Sequence, residues 1–159
     1  MKHAPELWFK QDFEKDADSI LDRAVFLERE TPLFKAMEIL KREFYEDGFG
    51  NRNNYGKNVV GRIDLIFRWK SKEYAAEVKY IPFKGNGDFW DALKILGYCE
   101  LYKWEYKKMI HPAIIIPIDK IKLEHKIVAN KLKIGLFGIK KEKHQFKMIP
   151  INFDRDYSL

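Results

Sequence analysis

Cysteine, glutamine and long apolar runs are the features that this sequence lacks or nearly lacks. Its single cysteine, Cys99, excludes a disulfide framework within the chain and a cysteine-rich zinc site. The four histidines are scattered, and no two of them have the spacing of metal ligands. The sequence also has no phosphate-binding P-loop, so we expect no nucleotide cofactor.

The sequence shows no targeting or membrane segment. No apolar run approaches the length of a membrane span, and the first residues do not resemble a signal peptide. These absences predict a cytoplasmic protein with no membrane partner. The scarcity of glutamine, beside plentiful lysine, isoleucine and glutamate, is typical of thermophile proteins.

Positive charge is present in excess. The 159 residues include 30 lysines and arginines against 24 aspartates and glutamates, which gives a formal net charge of +6. A basic surplus favours an anionic partner, and nucleic acid is the commonest one. The length and the 46% hydrophobic content fit one globular domain over residues 1–159.

Apolar spacing predicts two helices in the first third of the chain. The first covers Asp12 to Glu30. The second restarts at Thr31 and Pro32, with threonine as the N-cap and proline in the first turn, and ends at Gly48. The glycine- and asparagine-rich residues 48–57 then predict a loop.

An antiparallel hairpin is predicted next. Val59 to Trp69 and Glu73 to Ile81 have strand character, and a polar turn joins them. Beyond it we expect a loop over 82–88, a helix from Asp88 to about Lys108, a strand over Ala113–Ile118, a helix over Lys122–Lys131, and strands over Ile134–Ile139 and Phe146–Ile151. This order predicts an α/β or α+β fold with a central mixed β-sheet flanked by helices.

Three charged residues of the hairpin carry the candidate chemistry. Glu77 and Lys79 share one face of their strand, and Asp64 interrupts the otherwise apolar strand before it. Burying such charges without partners is costly, and a divalent cation would resolve the cost. Oxygens of Asp64 and Glu77, with the backbone carbonyl of Val78, suit Mg²⁺ or Mn²⁺. Lys79 is then placed to orient a water molecule or to offset charge in a transition state.

The pattern Glu-x-Lys alone is weak evidence, because it occurs three times in this lysine-rich chain. Only the occurrence at Glu77 lies in a predicted strand that pairs across a tight turn with the strand carrying Asp64. A structural cluster of salt bridges is the alternative interpretation of these residues.

The phrase Gly61-Arg62-Ile63-Asp64, followed by Ala76-Glu77-Val78-Lys79, resembles the signature of the PD-(D/E)xK nuclease superfamily. The phrase is similar to those of RecB-type nucleases and archaeal Holliday-junction resolvases. The resemblance implies a restriction-endonuclease-like core over about residues 32–139, with a helical extension over 12–30 and a C-terminal hairpin over 134–151. It also implies Mg²⁺-dependent hydrolysis of DNA by a monomer or a homodimer.

Two further features of the superfamily have candidates in this chain. The resemblance implies a catalytic glutamate on the helix before the first strand; Glu38 is the candidate, and Glu30 is the reserve. A surface glutamate without a catalytic role is an equally weighted interpretation of Glu38. RecB-type nucleases carry a Gln-x-x-x-Tyr pair on the helix after the lysine, and here Lys94 and Tyr98 have that spacing, with lysine in place of glutamine.

Basic residues in and around the two loops and the hairpin predict phosphate contacts without base readout. The expected nucleic-acid-binding residues are Arg52, Lys57, Arg62, Lys84, Lys94 and Tyr98. The chain has no evident extra recognition domain, which favours a structure-specific over a sequence-specific DNA nuclease. A catalytically silent nucleic-acid-binding or assembly subunit and a ribonuclease remain as alternatives.

Overall fold

A computed structural model of the chain describes residues 5–34, 59–80 and 89–153. The elements are α1 (Pro5–Ile20), β1 (Val25–Phe34), β2 (Val59–Trp69), β3 (Lys72–Val78), α2 (Phe89–Ala92), α3 (Ile95–Tyr106), β4 (His111–Pro117), a 3₁₀ turn (Ile118–Lys120), α4 (Leu123–Lys131), β5 (Gly135–Glu142) and β6 (Gln145–Pro150). None of the described helices combines the length and the apolar character needed to cross a bilayer.

The strands form one mixed sheet in the order β1-β2-β3-β4-β5-β6. β2 is antiparallel to both β1 and β3, the strands β3, β4 and β5 are parallel to one another, and β6 is antiparallel to β5. Parallel neighbours need crossover connections, and helices on the sheet faces supply them here. The predicted α+β fold with a mixed sheet flanked by helices is therefore confirmed.

Each face of the sheet buries its own apolar cluster. On one face α1 contributes Phe9 and Phe13, which pack with strand residues such as Phe67 and Phe137. On the other face α2, α3 and α4 pack against alternate strand residues, including Ala75 and Ile114. Because side chains alternate along a strand, these two clusters fix the face to which each β3 residue points. On β2 the alternation is interrupted at Asp64, because Ile63 belongs to the second cluster and Leu65 to the first.

The hairpin of β2 and β3 forms as predicted. Leu65 pairs with Ala76, and the ladder continues to Trp69 opposite Lys72. β3 ends at Val78, but the amide of Lys79 still donates to the carbonyl of Ile115 at 2.7 Å. The predicted strands at β4, β5 and β6 and the predicted helix at α4 are also present.

The helix predicted over residues 12–30 is wrong at both ends. α1 begins at Pro5 and ends at Ile20, and the chain from Val25 onward pairs with β2. The helix stops because Arg23 adopts a left-handed backbone (φ 61°) and donates its amide to the Asp18 carboxylate at 2.8 Å. Residues 25–30 therefore belong to the sheet and not to a helical extension.

The predicted helix start at Thr31 and Pro32 is also wrong, because both residues lie inside β1. Proline is tolerated there because β1 is the edge of the described sheet and needs no donor on its open side. The Pro32 carbonyl accepts a hydrogen bond from the Tyr106 hydroxyl at 2.8 Å, which ties α3 to this edge. Leu33 and Phe34 also lie in β1, and the second predicted helix from residue 35 onward, with Glu38, lies outside the described residues, as do the loops predicted over 48–57 and 82–88.

The long helix predicted from Asp88 to Lys108 is divided into two. α2 ends at Ala92, and α3 begins at Ile95 after a turn at Leu93 and Lys94. α3 ends where Lys107 adopts the left-handed conformation and its amide bonds to the Lys103 carbonyl. The turn places Lys94 immediately before α3, on the side of the sheet that Glu77 faces.

Candidate active site

The hairpin brings Asp64 and Glu77 together near the carboxyl end of β3. Oδ2 of Asp64 accepts a hydrogen bond from the Val78 amide at 2.9 Å, just beyond the last paired residues of the hairpin. Ala76 and Val78 belong to the cluster on the α1 face. Glu77, between them, consequently points to the opposite face, as the strand pattern predicted.

Glu77 is a buried carboxylate with an incomplete set of partners. Its residue is only 4% exposed. Oε1 lies 3.3 Å from the Lys94 ammonium and 3.6 Å from that of Lys79, whereas Oε2 has no hydrogen-bond partner within the part of the chain that the structure describes. Burial, together with the neighbouring negative charge of Asp64, raises the pKa of Glu77 to about 7, despite the opposing effect of the two lysines.

Asp64 has a second cationic partner on α1 that the sequence analysis missed. The Lys10 ammonium lies 3.3 Å from Oδ1 of Asp64 and also donates to the Glu30 carboxylate. Lys10 is 4% exposed, yet the two acids raise its pKa against the effect of burial, so it stays charged. Glu30, the reserve candidate, thus lies beside Asp64, although on β1 and not on a helix.

Glu6 is the second residue that the sequence analysis missed. Burial and the charge of Asp64 raise the pKa of the Glu6 carboxyl, while Lys10 and Lys79 oppose the shift. Glu6 precedes Lys10 by one helical turn, so both face the site from α1. The sequence does contain a signal for the start of α1 at Pro5-Glu6, because proline and an acidic residue commonly occupy the first turn of a helix.

The site as a whole is a charge cluster with a surplus of acid. Four carboxylates and three ammonium groups take part, namely those of Glu6, Glu30, Asp64, Glu77, Lys10, Lys79 and Lys94. When all of these groups are ionised, the described part of the site carries one surplus negative charge, in a chain whose total charge is +6. Such a surplus in a partly buried site favours a further cation.

The donor set fits Mg²⁺ or Mn²⁺. A buried anionic oxygen without a partner, Oε2 of Glu77, lies in a site shared with the Asp64 carboxylate. Mg²⁺ commonly keeps several waters and takes only one or two carboxylates from the protein. Within the described ranges, no group of three or more His, Cys, Asp or Glu side chains is arranged to hold a metal ion. The protein would therefore supply few ligands.

The predicted nucleic-acid-binding residues divide into two groups. Arg62 is exposed on β2, Lys94 is half exposed beside Glu77, and Tyr98 is partly buried on α3. Lys94 also lies 6.0 Å from the centre of the Tyr98 ring. The others, Arg52, Lys57 and Lys84, lie outside the described residues.

Tyr98 lies directly against the backbone of Gly61. A Cβ added at Gly61 would come within 2.2 Å of the Tyr98 hydroxyl oxygen, so no larger side chain fits without displacing the ring. A Cβ at Gly97, in the interior of α3, would meet nothing within 4 Å. The two glycines of this region thus have opposite surroundings.

Alanine substitutions at these glycines should change stability in opposite directions. Gly61→Ala forces Tyr98 aside, and overpacking of this kind costs about 1–3 kcal/mol. Gly97→Ala should stabilise by roughly 0.5–1 kcal/mol, because alanine loses less backbone entropy in a helix than glycine. Urea unfolding of both variants measures this. The Gly61→Ala cost should largely vanish in a Tyr98→Ala background; an undiminished cost would mean that the collision is elsewhere.

Comparison with known proteins returned no match: no family model, no curated protein and no solved structure matches the chain.

Proposed function

We propose that the protein is a metal-dependent nuclease that hydrolyses DNA phosphodiester bonds, in a restriction-endonuclease-like version of the α+β fold. The observation that carries the proposal is the buried Glu77 carboxylate, whose Oε2 has no partner in residues 5–34, 59–80 and 89–153 and which shares its site with Asp64. Such a carboxylate is costly to maintain unless it serves a ligand. Lys79 follows it with the spacing of the PD-(D/E)xK signature.

The chemical roles follow from position and charge. Asp64 and Glu77, with the Val78 carbonyl, would hold Mg²⁺ or Mn²⁺, which supplies polarisation of the phosphate and activation of a water molecule. The Lys79 ammonium, 3.6 Å from Glu77 Oε1, is placed to orient that water or to offset charge on the phosphate oxygens.

Glu6 is the better candidate for the helix glutamate that the superfamily resemblance implies. It lies on α1, the helix that precedes β1, and the negative charge of Asp64 contributes to the raised pKa of its carboxyl. Glu38 lies outside the described residues, so its catalytic role stays a prediction from the sequence. A third carboxylate beside Asp64 and Glu77 would add negative charge around the ion, whether or not it coordinates the ion.

The mode of DNA binding in this proposal is contact with phosphates. Arg62, Lys94 and Tyr98 lie on the elements that form the site, and the chain carries a net charge of +6. Phosphate contacts position a duplex but carry no base sequence. We therefore propose preference for a DNA structure, such as a junction or flap, over preference for a sequence.

A second candidate function has its own support. The lysines at positions 10 and 94 already engage Asp64 and Glu77, respectively. In a catalytically silent nucleic-acid-binding or assembly subunit, this cluster of salt bridges would hold the fold together, and no metal ion would be required. In that case the unpartnered oxygen of Glu77 would be an uncompensated cost of the fold.

A panel of labelled DNA junctions, flaps, duplexes and single strands, incubated with Mg²⁺, Mn²⁺ or excess chelator, tests the proposal. We expect metal-dependent cleavage that is fastest on branched DNA. Lys79→Ala should slow cleavage by about 10²–10³-fold, because it removes stabilisation made in the transition state. DNA affinity should be nearly unchanged. Lys72→Ala, at the exposed start of the same strand, is the matched control and should cut normally.

Each other result points to a different function. Binding without cleavage of any DNA or RNA, in every metal, would support the silent subunit. Cleavage of RNA alone would identify a ribonuclease. Full DNA cleavage in excess chelator would refute the metal site.

A further inference from the structure

Lys10 is a lysine in a position where lysines are rarely found. It is 4% exposed, although lysine side chains are almost never fully buried unless they are paired. Its ammonium is held by one carboxylate from each of two neighbouring strands, Glu30 on β1 and Asp64 on β2. α1 thus delivers a fixed positive charge into the candidate site.

The backbone of β1 is distorted where it supplies the second carboxylate. Glu30 has a φ of 53°, in the left-handed region that residues with side chains rarely adopt. Arg29 pairs with Leu65 and Thr31 pairs with Ile63, so Glu30 stands opposite Asp64. A strained residue persists only where its surroundings require it. Here the contact that the distorted residue makes is the ion pair with Lys10.

The two carboxylate oxygens of Asp64 have different partners. Oδ1 contacts the Lys10 ammonium, which also binds Glu30. Oδ2 accepts a hydrogen bond from the amide of Val78, the residue after Glu77, whose own Oε2 has no partner among the described residues. In hydrolytic sites with two metal ions, the ions lie about 3.5–4 Å apart and flank the reacting phosphate. The Lys10 ammonium already places one positive charge between the Asp64 and Glu30 carboxylates, which are the oxygens that a second ion would need.

We propose that the Lys10 ammonium is a built-in substitute for a second divalent cation, so that each chain binds a single divalent ion on the Glu77 side of Asp64. This inference rests on the proposed nuclease function, because it concerns the ion of that site. Removing the Lys10 charge leaves Glu30 and Asp64 as two facing carboxylates without a cation. Paired carboxylates of this kind provide oxygen ligands for Mg²⁺ or Mn²⁺.

The inference is tested without any activity assay by titrating the metal-free full chain with Mn²⁺. Calorimetry and the electron paramagnetic resonance signal of free Mn²⁺ both measure how many ions bind. The wild-type chain should bind one ion, Lys10→Ala two, and Lys10→Ala combined with Glu30→Gln one again. Lys72→Ala, which changes an exposed lysine, should bind one ion like the wild type. Circular dichroism verifies that each variant is folded.

The outcomes separate this inference from the proposed function. Two ions in the wild type, or one ion with unchanged affinity in folded Lys10→Ala, would overturn the substitution by Lys10 and leave the nuclease proposal standing. No Mn²⁺ binding by the wild type would overturn both. If Lys10→Ala fails to fold, the wild-type count decides: one ion supports the inference, and two ions overturn it.

Discussion

Asp64→Asn is expected to lower Mg²⁺-dependent DNA cleavage by three orders of magnitude or more while leaving the protein folded. Asparagine keeps an oxygen that can accept the Val78 amide, which Asp64 now binds at 2.9 Å. It removes the charge shared by Lys10 and the proposed ion. A loss of about 4 kcal/mol of transition-state stabilisation, reasonable for a metal ligand, corresponds to about three orders of magnitude in rate.

The structural cost of the same substitution should be small by comparison. Lys10 keeps its contact with Glu30, so the buried ammonium is not left without an acid. We expect a loss of about 1–2 kcal/mol in stability, or a few degrees in melting temperature. Asp22→Asn is a control, because Asp22 is exposed beside Trp69 at the other end of β2. A folded Asp64→Asn variant that cuts at the control rate would remove Asp64 from the chemistry.

The central part of the fold was predictable because its signals are local. The hairpin has alternating apolar residues on both strands and a polar turn between them, and β2 runs over Val59–Trp69 as predicted. The apolar run at β4 is buried on both faces, and a continuous run is what such a position requires. These elements bring the Asp64 carboxylate to the Val78 amide and leave the Lys79 ammonium 3.6 Å from Glu77.

The N-terminal part was not predictable in the same way. Ile20, Leu21 and Ala24 are all buried in one cluster, so their spacing mimics a continuing helix. The helix instead ends at Ile20, the left-handed residue Arg23 follows it, and the pairing of β1 with β2 then outweighs local helix preference. That pairing joins residues from 25 to 43 positions apart, from Phe34 with Val59 to Val25 with Arg68, and no local pattern reports it.

The candidate site shows the same division between local and distant contacts. The acid pair was found because a hairpin turn connects the strands that carry it. Lys10 and Glu6 reach Asp64 from α1, more than 50 residues earlier in the chain. The Pro5-Glu6 signal would have started that helix correctly, but the approach of α1 to Asp64 depends on the packing of Phe9 and Phe13 against the sheet. Such packing cannot be inferred from spacing alone.

Glu77→Gln is expected to stabilise the metal-free protein and to abolish its response to metal. In the folded chain Glu77 is buried, and one of its oxygens has no partner. Its pKa is about 7, compared with 4.5 for an unperturbed glutamate. Since each pKa unit corresponds to about 1.4 kcal/mol, the ionised carboxylate destabilises the fold by on the order of 3 kcal/mol. Glutamine has the same size and carries no charge.

The direction of the pH dependence follows from this shift. Between pH 4.5 and about 7 the folded state holds a proton on Glu77 that the unfolded state has lost. The free energy of unfolding of the metal-free wild type therefore falls as pH rises through this window and levels off above it. The Glu77→Gln variant lacks this contribution, so its advantage should be absent below the window and complete at about pH 8.

Unfolding by urea at about pH 4 and about pH 8, in chelator and in saturating Mn²⁺, measures both effects. In chelator at the higher pH, Glu77→Gln should be more stable than the wild type by about 1–3 kcal/mol. Saturating Mn²⁺ should stabilise the wild type, by about 2.7 kcal/mol at a hundred times the dissociation constant, and should leave the variant unchanged. Glu73→Gln, on the same face of β3 but four residues from the site, should match the wild type in every condition.

A metal-free Glu77→Gln variant that is less stable than the wild type at the higher pH would show that the ion pairs with Lys79 and Lys94 stabilise the fold. Glu77 would then belong to a structural salt-bridge cluster and not to a metal site.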